Sequence, residues 1–171
     1  VIAFGIQGHE ALLPEAWPLA RKLLSMSLGQ KLITSCVTNG VNLREFRDEL
    51  LDVTHNIYVS IDSHDPLIHD KSRGKSGAWV KTTDGLRAVR ELFGGGESGT
   101  REFQEYARVI SIFYPHQVAR LEGMPALLRS LGIKGWSVSP FISIAKGMFL
   151  GKEHEICEDL YRLDKISKEH G

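Results

Sequence analysis

Short runs rich in apolar and β-branched residues recur along the chain, at residues 1–6, 31–37 (KLITSCV), 56–61 (NIYVSI), 108–113 (RVISIF) and Gly135–Pro140 (GWSVSP). Between them apolar residues return every three or four positions, the period of one helix face. Trp17, Leu19, Ala20, Leu23 and Leu24 keep that period within 15–28, as do Leu86, Val89, Leu92 and Phe93 within 83–93. Ile156, Leu160, Leu163 and Ile166 keep it within 153–169. Segment 44–51 is short and amphipathic, and segment 121–131 ends just before Gly132, where a helix C-cap belongs. Strand runs alternating with helical runs predict βαβ units and a parallel sheet. Several strand runs are nearly continuous in apolar residues, which predicts cover on both faces. The interval 61–108 is long and is expected to hold a loop, one helix and a Gly-rich surface tract at 94–99. No internal repeat or domain boundary stands out. A partial or complete (β/α) barrel fits, with a doubly wound open sheet as the competitor, and both gather ligands at the carboxyl ends of their strands.

Composition narrows the function classes. The 171 residues make one domain's worth of chain with room for a sizeable core. Lys+Arg and Asp+Glu are equal at 21 each, so charge gives no reason to expect nucleic acid or an anionic membrane as a partner. The longest apolar candidate, 138–150, is too short to span a bilayer and is interrupted by Lys146. No signal-peptide pattern opens the chain. Two cysteines, Cys36 and Cys157, make no disulfide framework, and a cytoplasmic location is the default expectation.

Chemistry is then sought after each strand. The first strand leads into Gln7-Gly8-His9-Glu10-Ala11, the second into Thr38-Asn39-Gly40, and the third ends Ser60-Ile61-Asp62-Ser63. The stretch 57–74, IYVSIDSHDPLIHDKSRG, is dense in Asp62, His64, Asp65, His69 and Asp70. These could gather around a metal or decorate a loop at a barrel mouth. His64 and His69 match no compact zinc spacing, and Pro66 stiffens the link between them. A solvated loop with Asp/Pro turn chemistry is therefore the expectation. His9-Glu10 and His154-Glu155 both lack the second histidine of H-E-x-x-H, and the glycines of 94–99 follow a helix, with no Lys before Thr100 as a P-loop needs. Acid–base chemistry by His9, Glu10 and Asp62 in an unrelated (β/α) enzyme is one reading; adjacent residues on a strand end point apart, which weighs against it.

Set in order, FGIQGHEALL, TNG after a strand, VSIDS, HDKSRG and LGIKGWSVSPF resemble the radical S-adenosylmethionine (SAM) superfamily over nearly all of residues 1–141. Gly8-His9-Glu10-Ala11 stands where that family has GGEP, Ser60-Ile61-Asp62 where it has S-x-D, and His69 to Gly74 where many members have H-D-x-x-R-G. The resemblance implies a partial (β/α)6 barrel with SAM on its rim. A [4Fe–4S] cluster there cleaves SAM reductively, and the 5′-deoxyadenosyl radical takes hydrogen from substrate. It implies that Gly8, His9 and Glu10 hold the SAM amino group, that Ser60 and Asn39 serve its ribose or carboxylate side, and that Arg73 is a carboxylate partner. The backbone around Ile112 and Val138 would pack the adenine, and Asp62 would face substrate. An electron donor such as flavodoxin and a small-molecule or peptide substrate are the implied partners.

The family's C-x3-C-x2-C cluster loop follows its first strand, and no such run occurs here. Iron–sulfur clusters need thiolates. Val1 lies in an apolar run, and the resemblance starts at the family's second strand. The expectation is a single core domain, 1–171, from the second strand onward, with the first βα unit and its cysteines upstream of Val1. The alternative is a degenerate, cluster-less barrel acting as a non-catalytic partner or a nucleoside-ligand binding domain.

Overall fold

The computed structural model describes residues 2–8, 10–94, 100–113, 120–140 and 153–170. Five strands, β1 (Ala3–Ile6), β2 (Ile33–Thr38), β3 (Asn56–Ser60), β4 (Ala107–Phe113) and β5 (Gly135–Pro140), form one parallel sheet in the order β1-β2-β3-β4-β5. Helices join them: α1 (Trp17–Gly29), α2 (Leu43–Val53), α3 (Pro66–Arg73), α4 (Ala78–Leu92), α5 (Arg101–Tyr106), α6 (Met124–Leu131) and, after β5, α7 (Glu153–His170). Strands in chain order never reverse direction across the sheet, so there is no switch point and the doubly wound alternative falls. The winding is that of a barrel segment.

Burial alternates along the strands in one shared phase. Cys36, Ile57, Ala107, Val59 and Val109 are buried beneath the helices, joined by Leu24, Leu50, Leu86, Val89, Leu128 and Leu131. The registers Cys36↔Ile57, Ile57↔Ala107 and Val59↔Val109 put them on one face. Cover on both faces, expected from the apolar strand runs, is therefore corrected: the helices of the described residues pack on one side. The runs look continuous because the other side also carries apolar residues, Val37, Tyr58, Ile110 and Ile112, which are half-buried or exposed.

The long interval is corrected too. Its described residues hold three helices, and the stretch expected to be a loop is α3; residues 95–99 of the expected Gly-rich tract lie outside the described residues. Asp65 caps it, its carboxylate accepting from the N–H groups of Leu67 and Ile68. Pro66 sits in its first turn, and Gly74 closes it in the left-handed conformation. Gly132 closes α6 the same way, as expected.

Candidate functional site

The carboxyl ends of β1, β2 and β3 are tied to one another. Glu10, just past β1, accepts hydrogen bonds from Leu12 N, from Thr38 Oγ1 at 2.7 Å and from Asn39 N at 2.6 Å. Its carboxylate thus fastens the β1–α1 connection to the end of β2. Asn39 Oδ1 caps the backbone of Val41, and Thr82 of α4 donates to the Asn39 carbonyl. Gly40 has φ +78°, and an added Cβ would lie 2.7 Å from Thr82 and 2.9 Å from Val59. Only glycine fits that turn without displacing α4. Gly8 also has positive φ, but open space surrounds its missing side chain. The rim therefore keeps free backbone at Gly8 beside a tightly braced Thr38-Asn39-Gly40 turn. His9 lies outside the described residues.

Beyond β3 the polar residues turn to different partners instead of converging. Asp62 is 5% exposed; its carboxylate accepts from Ser72 Oγ and from Arg73 Nη2 at 2.8 Å. The Asp62 N–H donates to His69 Nδ1, which fixes that ring as an acceptor there. His69 is fully buried with no partner at Nε2, and burial, then the nearby Arg73 charge, push its pKa down. Asp70 accepts from the N–H groups of Trp79 and Gly77, bonds that hold its carboxyl below the usual carboxylate range and join α3 to the start of α4. Ser63 Oγ and His64 Nδ1 both meet the Arg120 carbonyl. Asp62 and Arg73, expected to meet substrate and a ligand carboxylate, are thus bonded to each other. A third link runs beneath them: Trp136 Nε1 donates to Ser111 Oγ, which donates to the Ile61 carbonyl. No motif signals that relay, because it depends on strand register.

The open face carries the remaining candidates. Adjacent positions in register form rows across it: Val37, Tyr58, Arg108 and Gly135; then Ser60, Ile110 and Ser137; then Ile112 and Ser139. Ser60 is half-buried on this face, one row from the rim. Ile112 is on it at 37% exposure. The Val138 side chain is opposite Ser111 and packs with the core, while on the open face Ser137 pairs with Ile110 and Ser139 with Ile112. Neither cysteine suits a cluster. Cys36 is wholly buried on the helix side, where desolvation, then the Glu10 charge, push its thiol up to about 12, and Cys157 is exposed on α7. Among the described residues, no three His, Cys, Asp or Glu side chains are placed to hold a metal ion, and no helix is long and apolar enough to cross a membrane.

No family model and no curated protein matches the sequence. Solved structures do. A domain of pyruvate-formate lyase-activating enzyme from Bacteroides vulgatus superposes with TM-score 0.73 at 14% identity, over 100% of this chain and 96% of that one. Streptococcus suis SuiB bound to S-adenosylmethionine superposes with TM-score 0.69 at 14% identity, over 97% of this chain and 36% of that one. SuiB also matches in a second structure, with TM-score 0.69 at 15% identity, over 97% of this chain and 35% of that one. The chain thus spans about a third of SuiB. The chain shares the fold of these structures, which are radical SAM enzymes, and its partial barrel is the one that the sequence resemblance implied.

Proposed function

We propose that this chain is the core of a radical SAM enzyme and that SAM binds across the rim onto the open sheet face. One observation carries the reading: a parallel sheet, normally covered on both sides, has one face that the helices of the described residues leave uncovered, and its braced strand ends sit at the rim of that face. The order of the sequence motifs supports it, as does the likeness to SuiB, a protein solved with SAM bound. In this reading Gly8 offers backbone to the methionine end, and Ser60 Oγ, which makes no bond within the described residues, serves the cofactor. Asn39 and Glu10 act by bracing, since their polar groups already hold the rim together. Ile112 gives the adenine an apolar surface. Asp62 and Arg73 fix the chain where β3 leaves the sheet.

Bound SAM would supply a 5′ carbon able to take hydrogen from substrate, after one electron from an iron–sulfur cluster breaks its bond to sulfur and frees methionine. The described residues do not fit that cluster, since one cysteine is buried as a thiol and the other is exposed on α7. We place its ligands in a further βα unit beside β1. Two features support such a unit: β1 is the sheet edge, and α1 shows solvent a stripe of Leu19, Leu23 and Met26, 64%, 41% and 60% exposed.

The test is calorimetric titration of the intact protein with S-adenosylhomocysteine, followed by anaerobic cluster reconstitution and assay of 5′-deoxyadenosine. Binding that Ser60→Ala weakens roughly fivefold, with release of 5′-deoxyadenosine, is the expected result. Binding without any reconstituted cluster would make this the cluster-less nucleoside-binding domain. Absence of binding would end the SAM reading.

A further inference from the structure

Across the open face the described side chains are uncharged, with one exception. Among them, Arg108 alone carries a formal charge. It lies near the amino end of β4, exposed, and makes no hydrogen bond or ion pair within the described residues. Its stem crosses Gly135, where an added Cβ would lie 2.7 Å from Arg108 Cγ. Glycine there is what leaves the guanidinium its course over β5. Tyr58 stands beside it in register, its hydroxyl likewise without a partner among the described residues. A groove of about 440 Å³ opens at this point, lined by Gln104, Glu105, Arg108, Lys134 and Gly135. Glu105 has interactions of its own, and Lys134 adds a second cation.

Arg108 is four residues from Ile112, about 13 Å along the strand. That separates it from the rim assigned to SAM. Between the two lies the row Ser60, Ile110 and Ser137, one apolar side chain between two hydroxyls and none of them charged. An unpaired guanidinium at the far end of an uncharged floor suits a ligand with an uncharged body and an oxyanion terminus, since the fork offers paired donors to a carboxylate or phosphate.

We propose that the substrate of this enzyme carries an oxyanion, carboxylate or phosphate, docked on Arg108 with Tyr58 beside it. The proposal rests on the open face being the ligand face. It assigns substrate class to the floor of that face and leaves the cofactor to its rim.

The intact protein is titrated with 3-phenylpropionate, with phenyl phosphate and with neutral 3-phenylpropanol, following the Arg108 side-chain N–H signal and the Ile110 and Ser137 amides by NMR. Saturable shifts are expected with one or both anions and not with the alcohol, and which anion binds names the oxyanion. Arg108→Gln is expected to weaken that binding at least tenfold, Arg108→Lys less, and Tyr58→Phe a few-fold, with S-adenosylhomocysteine affinity unchanged within twofold. Anion binding equal in Arg108→Gln, or no saturable shift with either anion, overturns the proposal. So does a parallel loss of S-adenosylhomocysteine affinity in Arg108→Gln, which would give Arg108 to the cofactor's own carboxylate. The two readings fail separately: loss of cofactor binding in the wild type with anion binding intact removes the SAM reading and keeps Arg108 as an oxyanion site.

Discussion

Asp62 shows how much one carboxylate organises at the end of β3. It is 5% exposed, and Ser72 and Arg73 both donate to it. Replacing it with Asn keeps the shape but leaves the Arg73 guanidinium without its counter-charge in a mostly buried position. Asp62→Asn is expected to cost about 2–4 kcal/mol, read from urea denaturation at neutral pH. His69 adds a pH dependence. Its folded pKa lies below the unfolded value, because burial disfavours the charged ring and Nδ1 must accept from Asp62 N. Unfolding therefore takes up a proton once pH drops below about 6.5, so stability is full above that pH and declines as pH falls toward the folded pKa. Urea midpoints between pH 7.5 and 5 should show this decline, and His69→Gln should flatten it. Little of this was legible in the sequence. The density of Asp and His in 57–74 marked the stretch as important, but pairing of Asp62 with Arg73 requires the helix between them. That helix hid because its pattern is inverted: Leu67 and Ile68 are 81% and 36% exposed, whereas the buried residue is a histidine.

At the scale of elements, the turn after β2 and the cap of α3 can be compared. Gly40 and Gly74 both have positive φ, but only Gly40 is enclosed. Gly74→Ala should cost about 1 kcal/mol of backbone strain alone. Gly40→Ala adds collisions with Thr82 and Val59, so a loss of about 3 kcal/mol or more is expected, together with weaker S-adenosylhomocysteine binding as the rim shifts. Asp65→Ala, which removes the α3 cap, should cost about 1 kcal/mol. Thermal unfolding of the three variants in parallel checks the ranking. The strands and most helices were readable because apolar period separates them well, and the Thr38-Asn39-Gly40 turn stood out by position alone. The one-sided cover of the sheet was not readable. Val37, Tyr58, Ile110 and Ile112 look like core residues, and nothing local records that no helix of the described residues covers them.

For the whole molecule, the two sheet edges differ. β1 has four residues, with Ile2 before it 73% exposed, and α1 beside it leaves three large apolar side chains in solvent. If a further βα unit pairs there in the intact protein, amide exchange in Ala3–Ile6 should be at least tenfold slower in that protein than in residues 1–171 alone. Equal rates would remove the support that the α1 stripe lends to such a unit. Fold class was the best-read feature at this scale, since alternation of strand and helix admits few architectures. Alternation alone left barrel segment and doubly wound sheet open; the family resemblance implied the barrel, and the strand order bears it out.

That strand order also governs how the chain can assemble. Each new strand lies against the one made just before it, so a growing polypeptide can complete every pairing without waiting for distant sequence. The β3-to-β4 step is the slowest to close, because α3, α4 and α5 must be accommodated first. A nascent chain paused before β4 would present β3 as a bare edge, with Ile57 and Val59 lacking their β4 neighbours. The vulnerable moment of its synthesis falls there, before residue 107 has left the ribosome.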